Sequence, residues 1–159
     1  MKEIKITDIE GIKIGNSENK ISGTGCTVII CEKGGVAGVD VRGGGPASHE
    51  TELLNPINTV DRVHGICLSG GSAFGLEATA GVMKYLEEKE IGFKVGDITV
   101  PIVCGASLFD LAVGDSKIRP DKEMGYLASQ NSEKNIVFEG NFGAEQERLL
   151  ENTEEWKEL

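Results

Sequence analysis

The chain has 159 residues, of which 39% are hydrophobic and 26% are charged, so it is long enough to form one domain with a buried core. Its formal net charge of −10 disfavours binding to nucleic acids or to anionic membrane surfaces. The sequence contains no apolar stretch long enough for a membrane span and no signal-peptide pattern near its start, which predicts a cytoplasmic protein.

The first part of the chain predicts short strands and turns. Strands are expected at residues 12–15, 25–31 and 36–41. The last two are joined by Glu32-Lys33-Gly34-Gly35, which is typical of a hairpin connection. Residues 51–54 predict a helical turn that Asn55-Pro56 ends.

The middle of the chain combines a buried strand with a helix. The unbroken apolar run at residues 65–68 predicts a buried strand, and Gly70-Gly71 predicts a tight turn after it. In residues 73–88, apolar side chains recur at helical spacing, which predicts an amphipathic helix.

The last part predicts further short elements and an acidic tail. Strands are expected at residues 100–103, 109–113 and 136–138, and a helix at residues 121–129. Residues 145–159 hold six acidic and two basic side chains and predict a short helix.

The turn at Gly70-Gly71-Ser72 is the strongest local candidate for a binding site. A short apolar strand, two glycines and a helix start form the arrangement in which backbone N–H groups can face an anion. A nucleophile elbow would need glycine in place of Phe74, and a phosphate-binding P-loop would need a Gly-Lys-Ser/Thr ending. The turn therefore suits an oxyanion hole or a carboxylate cradle, or else it only lets a strand and a helix pack tightly.

Cysteine and histidine residues do not predict a metal or cofactor site. The four cysteines lie in apolar, strand-like surroundings that suit small buried side chains. His49 and His64 are far apart and lack a cysteine or carboxylate at ligand spacing. We therefore predict no metal and no cofactor.

Several segments together closely resemble the DmpA-type peptidases, which include L-aminopeptidase/D-esterases, β-peptidyl aminopeptidases and nylon-oligomer hydrolases. The resemblance is collinear from about residue 6 to residue 144. It is specific because many unrelated short motifs occur in one order. The matching stretches are ITDIEGIKIG, TGCTVIIC, VAGVDVRGGGP with ETELL, VHGICLSGGSAFGLEATAGV, VPIVCGASLFDLAVGD, RPDKEMGY and EGNFGA.

The resemblance implies an α+β fold, an αββα sandwich of the N-terminal-nucleophile type. In such enzymes the precursor cuts itself before a Ser or Thr, which becomes the N-terminus of a separate β chain. Its hydroxyl attacks the substrate carbonyl while its own α-amino group, with a pKa of roughly 7.7–8.0, takes the proton. The sandwich is expected to be incomplete here, because the β-chain segment is absent.

The resemblance also implies roles for individual residues. Asn141 matches the family asparagine near the reacting carbonyl, an oxyanion donor. Phe74 stands where many members carry a tyrosine, so a hydroxyl is missing; alternatively, Phe74 is a core aromatic. Lys117 matches an active-site lysine of some members, or is a solvated loop lysine. In the turn just before Phe74, Gly70, Gly71 and Ser72 are expected to bind substrate.

The end of the chain departs from the family pattern. Residues 1–144 match the α portion of such an enzyme, whereas residues 145–159 do not resemble the glycine-rich stretch found next in the family. One expectation is an α portion acting on peptides or amides, with its Ser or Thr nucleophile on a separate β chain. The alternatives are a small-molecule-binding protein without catalysis or an assembly subunit, and a homo-oligomer would cover an exposed sheet face.

Overall fold

The computed structural model describes residues 4–136, 138 and 140–145. Nearly all of the regular structure in this part of the chain belongs to one layer of strands and one layer of helices. The helices are α1 (Ala78–Glu88) and α2 (Lys122–Asn131). The strands are β1 (Lys13–Asn19), β2 (Thr24–Gly35), β3 (Ser48–His49), β4 (Val63–Ser69), β5 (Phe93–Val95), β6 (Ile98–Val100) and β7 (Val103–Ser107).

Five of the strands form a mixed sheet in the order β1-β2-β4-β7-β3. Its neighbours are antiparallel except β4 and β7, which run parallel with Cys67 opposite Gly105. A parallel pair needs a long crossover, and here the crossover contains α1 and the small hairpin of β5 and β6. The C-terminal ends of β4 and β7 therefore meet at one edge of the sheet.

Both helices begin within one to five residues of where the sequence predicts them to begin. Asp121 is the N-cap of α2, since its carboxylate accepts a hydrogen bond from the N–H of Met124 at 2.8 Å. Helix α1 begins after a tight helical turn at Ser72–Glu77, so the predicted helix over 73–88 is confirmed with an irregular first part. None of the described helices is long and apolar enough to cross a membrane.

Helices α1 and α2 pack closely against each other at two glycine residues. A Cβ on Gly81 of α1 would overlap the carbonyl oxygen of Lys122, and a Cβ on Gly125 of α2 would overlap the carbonyl oxygen of Ala78. Together the helices cover one face of the sheet. The hydrophobic core lies between the helices and this face of the sheet, and it consists of Cys26, Val28, Ile30, Cys67, Ala78, Val82, Tyr85, Leu86, Val103 and Ala128.

The opposite face of the sheet is only partly covered. Side chains alternate along a strand, so Thr27, Ile29 and Leu68 lie on the face away from the helices. The side chain of Leu68 is 38% exposed. At one end of this face, Val63, Ile102 and Cys104 are buried under side chains of residues 53–60. Apart from the small hairpin of β5 and β6, the described strands and helices thus form one five-stranded sheet and one helical layer, which is half of an αββα sandwich.

The predicted hairpin between residues 25–31 and 36–41 is wrong. Strand β2 instead runs to Gly35, with a bulge after Ile30, and pairs with β1 on one edge and β4 on the other. Both edges of β2 are therefore occupied, and residues 36–41 have no strand to join. Val36 and Val39 are exposed in this segment.

Three further strand predictions also differ from the structure. The predicted strand at residues 100–103 instead spans the end of β6 at Val100 and the start of β7 at Val103, and residues 101–102 lie outside both strands. Residues 109–113 form a turn, because β7 ends at Ser107 and the following backbone bonds to the turn after β4. Ile136 and Phe138 lie outside regular structure, while residue 137 is outside the described residues. The predicted tail helix at 145–159 lies outside the described residues except for Glu145, the last residue of a short helical turn.

Candidate active site

The turn at Gly70-Gly71-Ser72 lies where the C-terminal ends of β4 and β7 meet. Gly71 has a φ of 79°, a left-handed conformation that glycine adopts at little cost. Ser72 has a φ of 55°, which is uncommon for a residue with a side chain. Strained backbone of this kind persists where the surrounding contacts enforce it, as they often do at functional sites.

Asp110 holds this turn in place. Its carboxylate accepts hydrogen bonds from the N–H of Gly71 and from the hydroxyl of Thr24, each at 2.6 Å. The side chain is buried, and it lies so close to Gly70 that a Cβ there would overlap its Oδ2 atom. Asp110 is not among the site residues predicted from the sequence, although a single carboxylate inside the apolar stretch Phe109–Val113 was the available signal.

The backbone N–H groups of the turn are bonded within the protein. Gly70 donates to the carbonyl of Gly25 at 2.9 Å, and Ser72 donates to the carbonyl of Leu108 at 2.8 Å. Gly71 donates to the carboxylate of Asp110. These bonds agree with the tight-packing interpretation, and a substrate-binding role for Gly70, Gly71 and Ser72 stays a prediction.

Phe74 follows the turn, and its side chain is 58% exposed. The alternative interpretation of Phe74 as a core aromatic is therefore wrong. The guanidinium carbon of Arg119 lies 3.8 Å from the centre of its ring. Lys117 lies in the same loop as Arg119, is exposed, and donates its backbone N–H to the carboxylate of Asp115. The structure thus brings the loop of Lys117 beside the turn that carries Phe74.

Asn141 is exposed, and the segment that carries it lies against the uncovered face of the sheet. Two bonds hold this segment: Gly143 donates to Glu18 at 2.9 Å, and Ala144 donates to the hydroxyl of Thr27 at 3.2 Å. A Cβ on Gly143 would also overlap the side chain of Thr27, so the segment lies directly on β2.

A cleft of about 520 Å³ lies between this segment and the sheet. Its walls are mainly apolar, and they include both residues that flank Asn141 in sequence. Leu108 also lines the cleft, and its carbonyl accepts the hydrogen bond from Ser72. The cleft therefore adjoins the Asn141 segment and the Gly70–Ser72 turn. Its lining residues include Ile29, Leu68, Ala106, Leu108, Gly140 and Phe142.

Two of the cysteine thiols are poorly suited to act as nucleophiles. A hydrogen bond with Cys67 and burial hold the pKa of the Cys26 thiol well above its usual range. Burial also raises the pKa of the Cys104 thiol. Thiols in such surroundings stay protonated and are poor nucleophiles. In residues 4–136, 138 and 140–145, no three His, Cys, Asp or Glu side chains are grouped to hold a metal ion.

Comparison with known protein families assigns this chain to a family. The profile of peptidase family S58 matches residues 5–146. The chain belongs to peptidase family S58. An uncharacterised aminopeptidase of Mycobacterium leprae is 47% identical over an alignment of 133 residues, gaps included, that covers 79% of this chain and 37% of that protein. A 6-aminohexanoate-oligomer endohydrolase of a Kocuria species is 31% identical over 137 residues, or 86% of this chain and 36% of that protein.

Solved structures show the same fold. The L-aminopeptidase D-Ala-esterase/amidase of Ochrobactrum anthropi, described as a variant of the Ntn hydrolase fold, matches 91% of this chain with a TM-score of 0.63 and 17% identity. A protein of Pyrococcus horikoshii matches 90% with a TM-score of 0.59 and 24% identity. Both matches cover 44% of the other chain. This S58 chain therefore has part of an Ntn-hydrolase fold, as the sequence predicts, and spans about two fifths of the length of these relatives.

Proposed function

We propose that this chain is the α portion of an amide hydrolase of family S58, which releases N-terminal residues from short peptides or related amides. The observation that carries the proposal is the apolar cleft on the uncovered sheet face, which adjoins both the Asn141 segment and the turn after β4. The family match and the relatives named as an aminopeptidase and an oligomer endohydrolase support the reaction class.

In this proposal the nucleophile is a Ser or Thr that lies outside these 159 residues. The relatives are more than twice as long as the matched region, so most of their length has no counterpart here. A second sheet packed on the face of Ile29 and Leu68 would complete the sandwich and place a new N-terminus in the cleft. That segment would be a separate β chain, and residues 1–144 would form the α portion beside the appended tail 145–159.

Asn141 is proposed as the oxyanion donor. A carboxamide N–H beside an apolar cleft can stabilise the negative charge that develops on a substrate carbonyl oxygen. Its two neighbours line the cleft, and the bonds from Gly143 and Ala144 fix the backbone around it. The apolar walls suit aliphatic side chains or methylene chains of the substrate.

A second candidate is a protein of this family that binds a small molecule, or assembles with copies of itself, without catalysis. Two observations favour it. The N–H groups of Gly70, Gly71 and Ser72 are all engaged inside the protein, and Phe74 carries no hydroxyl. In either case we propose a cytoplasmic protein, with copies of the chain associating through the uncovered sheet face.

The test uses the protein isolated with its natural partner segments. Asn141→Asp keeps the shape of the side chain but removes the N–H donor, so kcat for an amino-acid p-nitroanilide should fall about 10²- to 10³-fold. Asn55→Asp, at an exposed asparagine outside the cleft, is the matched control and should leave kcat unchanged, because its side-chain oxygen, which accepts from the N–H of Ile57, is kept in the variant. An unchanged kcat in Asn141→Asp contradicts the assigned role, and the absence of any turnover by the native protein favours the non-catalytic candidate.

A further inference from the structure

We infer that Arg119, stacked on Phe74, recognises a carboxylate and so selects ligands with a free acid group. This inference deepens the proposed function and rests on it for the identity of the ligand, which would be a short peptide or amino-acid oligomer with a free carboxyl terminus. The inference rests on the guanidinium group of Arg119. This group is held in place at the edge of the candidate site, and it has no acidic partner among the described residues.

Two contacts fix the guanidinium group of Arg119. The group lies over the ring of Phe74, with 3.8 Å between the guanidinium carbon and the ring centre. Its Nε donates a hydrogen bond to the carbonyl of Ser116 at 2.7 Å. A guanidinium group held in this way loses less conformational freedom when it binds a ligand. The stack also explains why a large aromatic side chain such as Phe74 remains exposed.

The two terminal nitrogens of Arg119 have no acidic partner among the described residues. The acidic side chains nearest in sequence are engaged elsewhere, since Asp121 accepts from Met124 and Asp115 accepts from the N–H of Lys117. By contrast, Arg42 is paired with Asp40 at 2.6 Å. Arg62 likewise has no carboxylate partner among the described residues, but one of its terminal nitrogens donates to the carbonyl of Gly34 at 3.0 Å, whereas the bond of Arg119 uses only Nε. The terminal N–H groups of Arg119 match a carboxylate, which they can bind through two parallel hydrogen bonds.

Arg119 also has the right position for a role in this site. It packs beside Gly71, where an added Cβ would lie 3.3 Å from the Cβ of Arg119. The next residue, Ser72, bonds to Leu108 in the wall of the cleft. Arg119 and the cleft therefore flank the same turn. Exposed Lys117 adds a second positive charge to this loop.

The inference is tested by binding of two probes that differ only in charge. N-acetyl-L-alanine and N-acetyl-L-alanine amide are titrated into the full chain, isolated with its bound partners, while the Nε–H resonances of isotope-labelled arginine are followed by NMR. We expect the acid to bind about tenfold more tightly than the amide and to shift the Arg119 resonance. Equal affinity for both probes, or an acid preference without a shift at Arg119, overturns the inference.

Variants of Arg119 and Phe74 provide a second test of the inference, which measures the ratio of the affinities for the acid and the amide. Arg119→Gln should reduce the acid-to-amide ratio of affinities to about one, and Phe74→Leu should reduce it partly by removing the stacking surface. Arg42→Gln removes an arginine that is already paired with Asp40, so it should keep the wild-type ratio. An unchanged ratio in a folded Arg119→Gln protein overturns the inference.

Kinetics separate this inference from the proposed function. The native protein is assayed with L-alanyl-L-alanine and with its C-terminal amide, which share the bond to be cut. Turnover of both with equal kcat/KM contradicts the role of Arg119 and leaves the hydrolase proposal intact. Selective binding of the N-acetylated acid without any turnover supports Arg119 and contradicts the hydrolase.

Discussion

The carboxylate of Asp110 accepts the backbone N–H of Gly71 at 2.6 Å and so connects the loop after β7 to the turn after β4. Its second oxygen accepts the hydroxyl of Thr24 at the start of β2. Three segments far apart in sequence are therefore fixed by one buried side chain, at the edge of the sheet where the candidate site lies. This arrangement leaves no space at Gly70 for any side chain.

Gly70→Ala should be strongly destabilising. The new Cβ would overlap Oδ2 of Asp110 and crowd the hydroxyl of Thr24, which cannot both move without losing their bond. We expect the free energy of unfolding to fall by about 3 kcal/mol or more. Urea denaturation followed by circular dichroism measures this change. Gly38→Ala, where an added Cβ meets open space, is the control and should change stability by less than about 1 kcal/mol. Equal stability of the two variants would contradict the role given to Asp110.

Gly81→Ala should destabilise the protein although alanine is the better helix former. Its Cβ would overlap the backbone of α2 at Lys122, which forces the two helices apart. Overpacking of about 1–3 kcal/mol outweighs the gain of about 1 kcal/mol in helix propensity. Ala80→Gly, at an exposed position of α1, isolates the propensity effect and should cost about 1 kcal/mol. A stabilised Gly81→Ala protein would show that α1 and α2 do not pack through this glycine.

Glu133 should make stability depend on pH in the acidic range. Hydrogen bonds from Lys13, Lys89 and Tyr85 lower its pKa from 4.5 to about 2. A carboxyl group with a lowered pKa in the folded state stabilises the protein above pH 4.5, and this contribution is lost as the pH falls from 4.5 to about 2.

The variant Glu133→Gln removes this contribution. Because the side chain is 38% exposed, solvent screening limits the effect to about 1 kcal/mol. Thermal denaturation should show wild type and variant differing at about pH 6 and converging near pH 2. Glu87→Gln, at an exposed glutamate of α1, is the control and should follow the wild type throughout. A difference between Glu133→Gln and wild type that stays constant with pH would count against this role of Glu133.

Introducing a charged side chain should affect the stability of the protein differently on the two faces of the sheet. Leu86 is fully buried between the helices and the sheet, so Leu86→Glu should unfold the chain. Leu68 lies on the partly covered face, so Leu68→Glu should cost about 1 kcal/mol or less, and it should weaken the association of chains that we propose for this face. Circular dichroism and sedimentation velocity measure the two effects. Equal loss of structure in both variants would mean that the face of Leu68 is part of the core.

Local patterns predicted the elements whose signals lie within a few residues. The spacing of apolar side chains located α1, and Pro120 with the acidic residues Asp121 and Glu123 after it located the start of α2. The buried strand β4 followed from a short apolar run. These elements depend on neighbouring residues, so one sequence suffices to find them.

The remaining features depend on contacts between distant residues. Residues 36–41 have the pattern of a strand, but β1 and β4 already occupy both edges of β2. Asp110 acquires its role from Thr24, 86 positions earlier in the chain. The stack of Arg119 on Phe74 likewise joins two segments that sequence patterns treat as independent. Among the predicted site residues, the sequence assigned only Gly70, Gly71, Ser72 and Phe74 to a predicted element, namely the turn after β4 and the start of the helix that follows it.

The most direct test of the central claim is the intact mass of every polypeptide that stays bound to this chain after gentle purification from its source cells. If the chain is the α portion of an N-terminal-nucleophile hydrolase, a second polypeptide beginning with Ser or Thr should be present in equal amount, and the pair should hydrolyse amino-acid p-nitroanilides. Recovery of the chain alone, or only with copies of itself, and without hydrolysis, would contradict the claim.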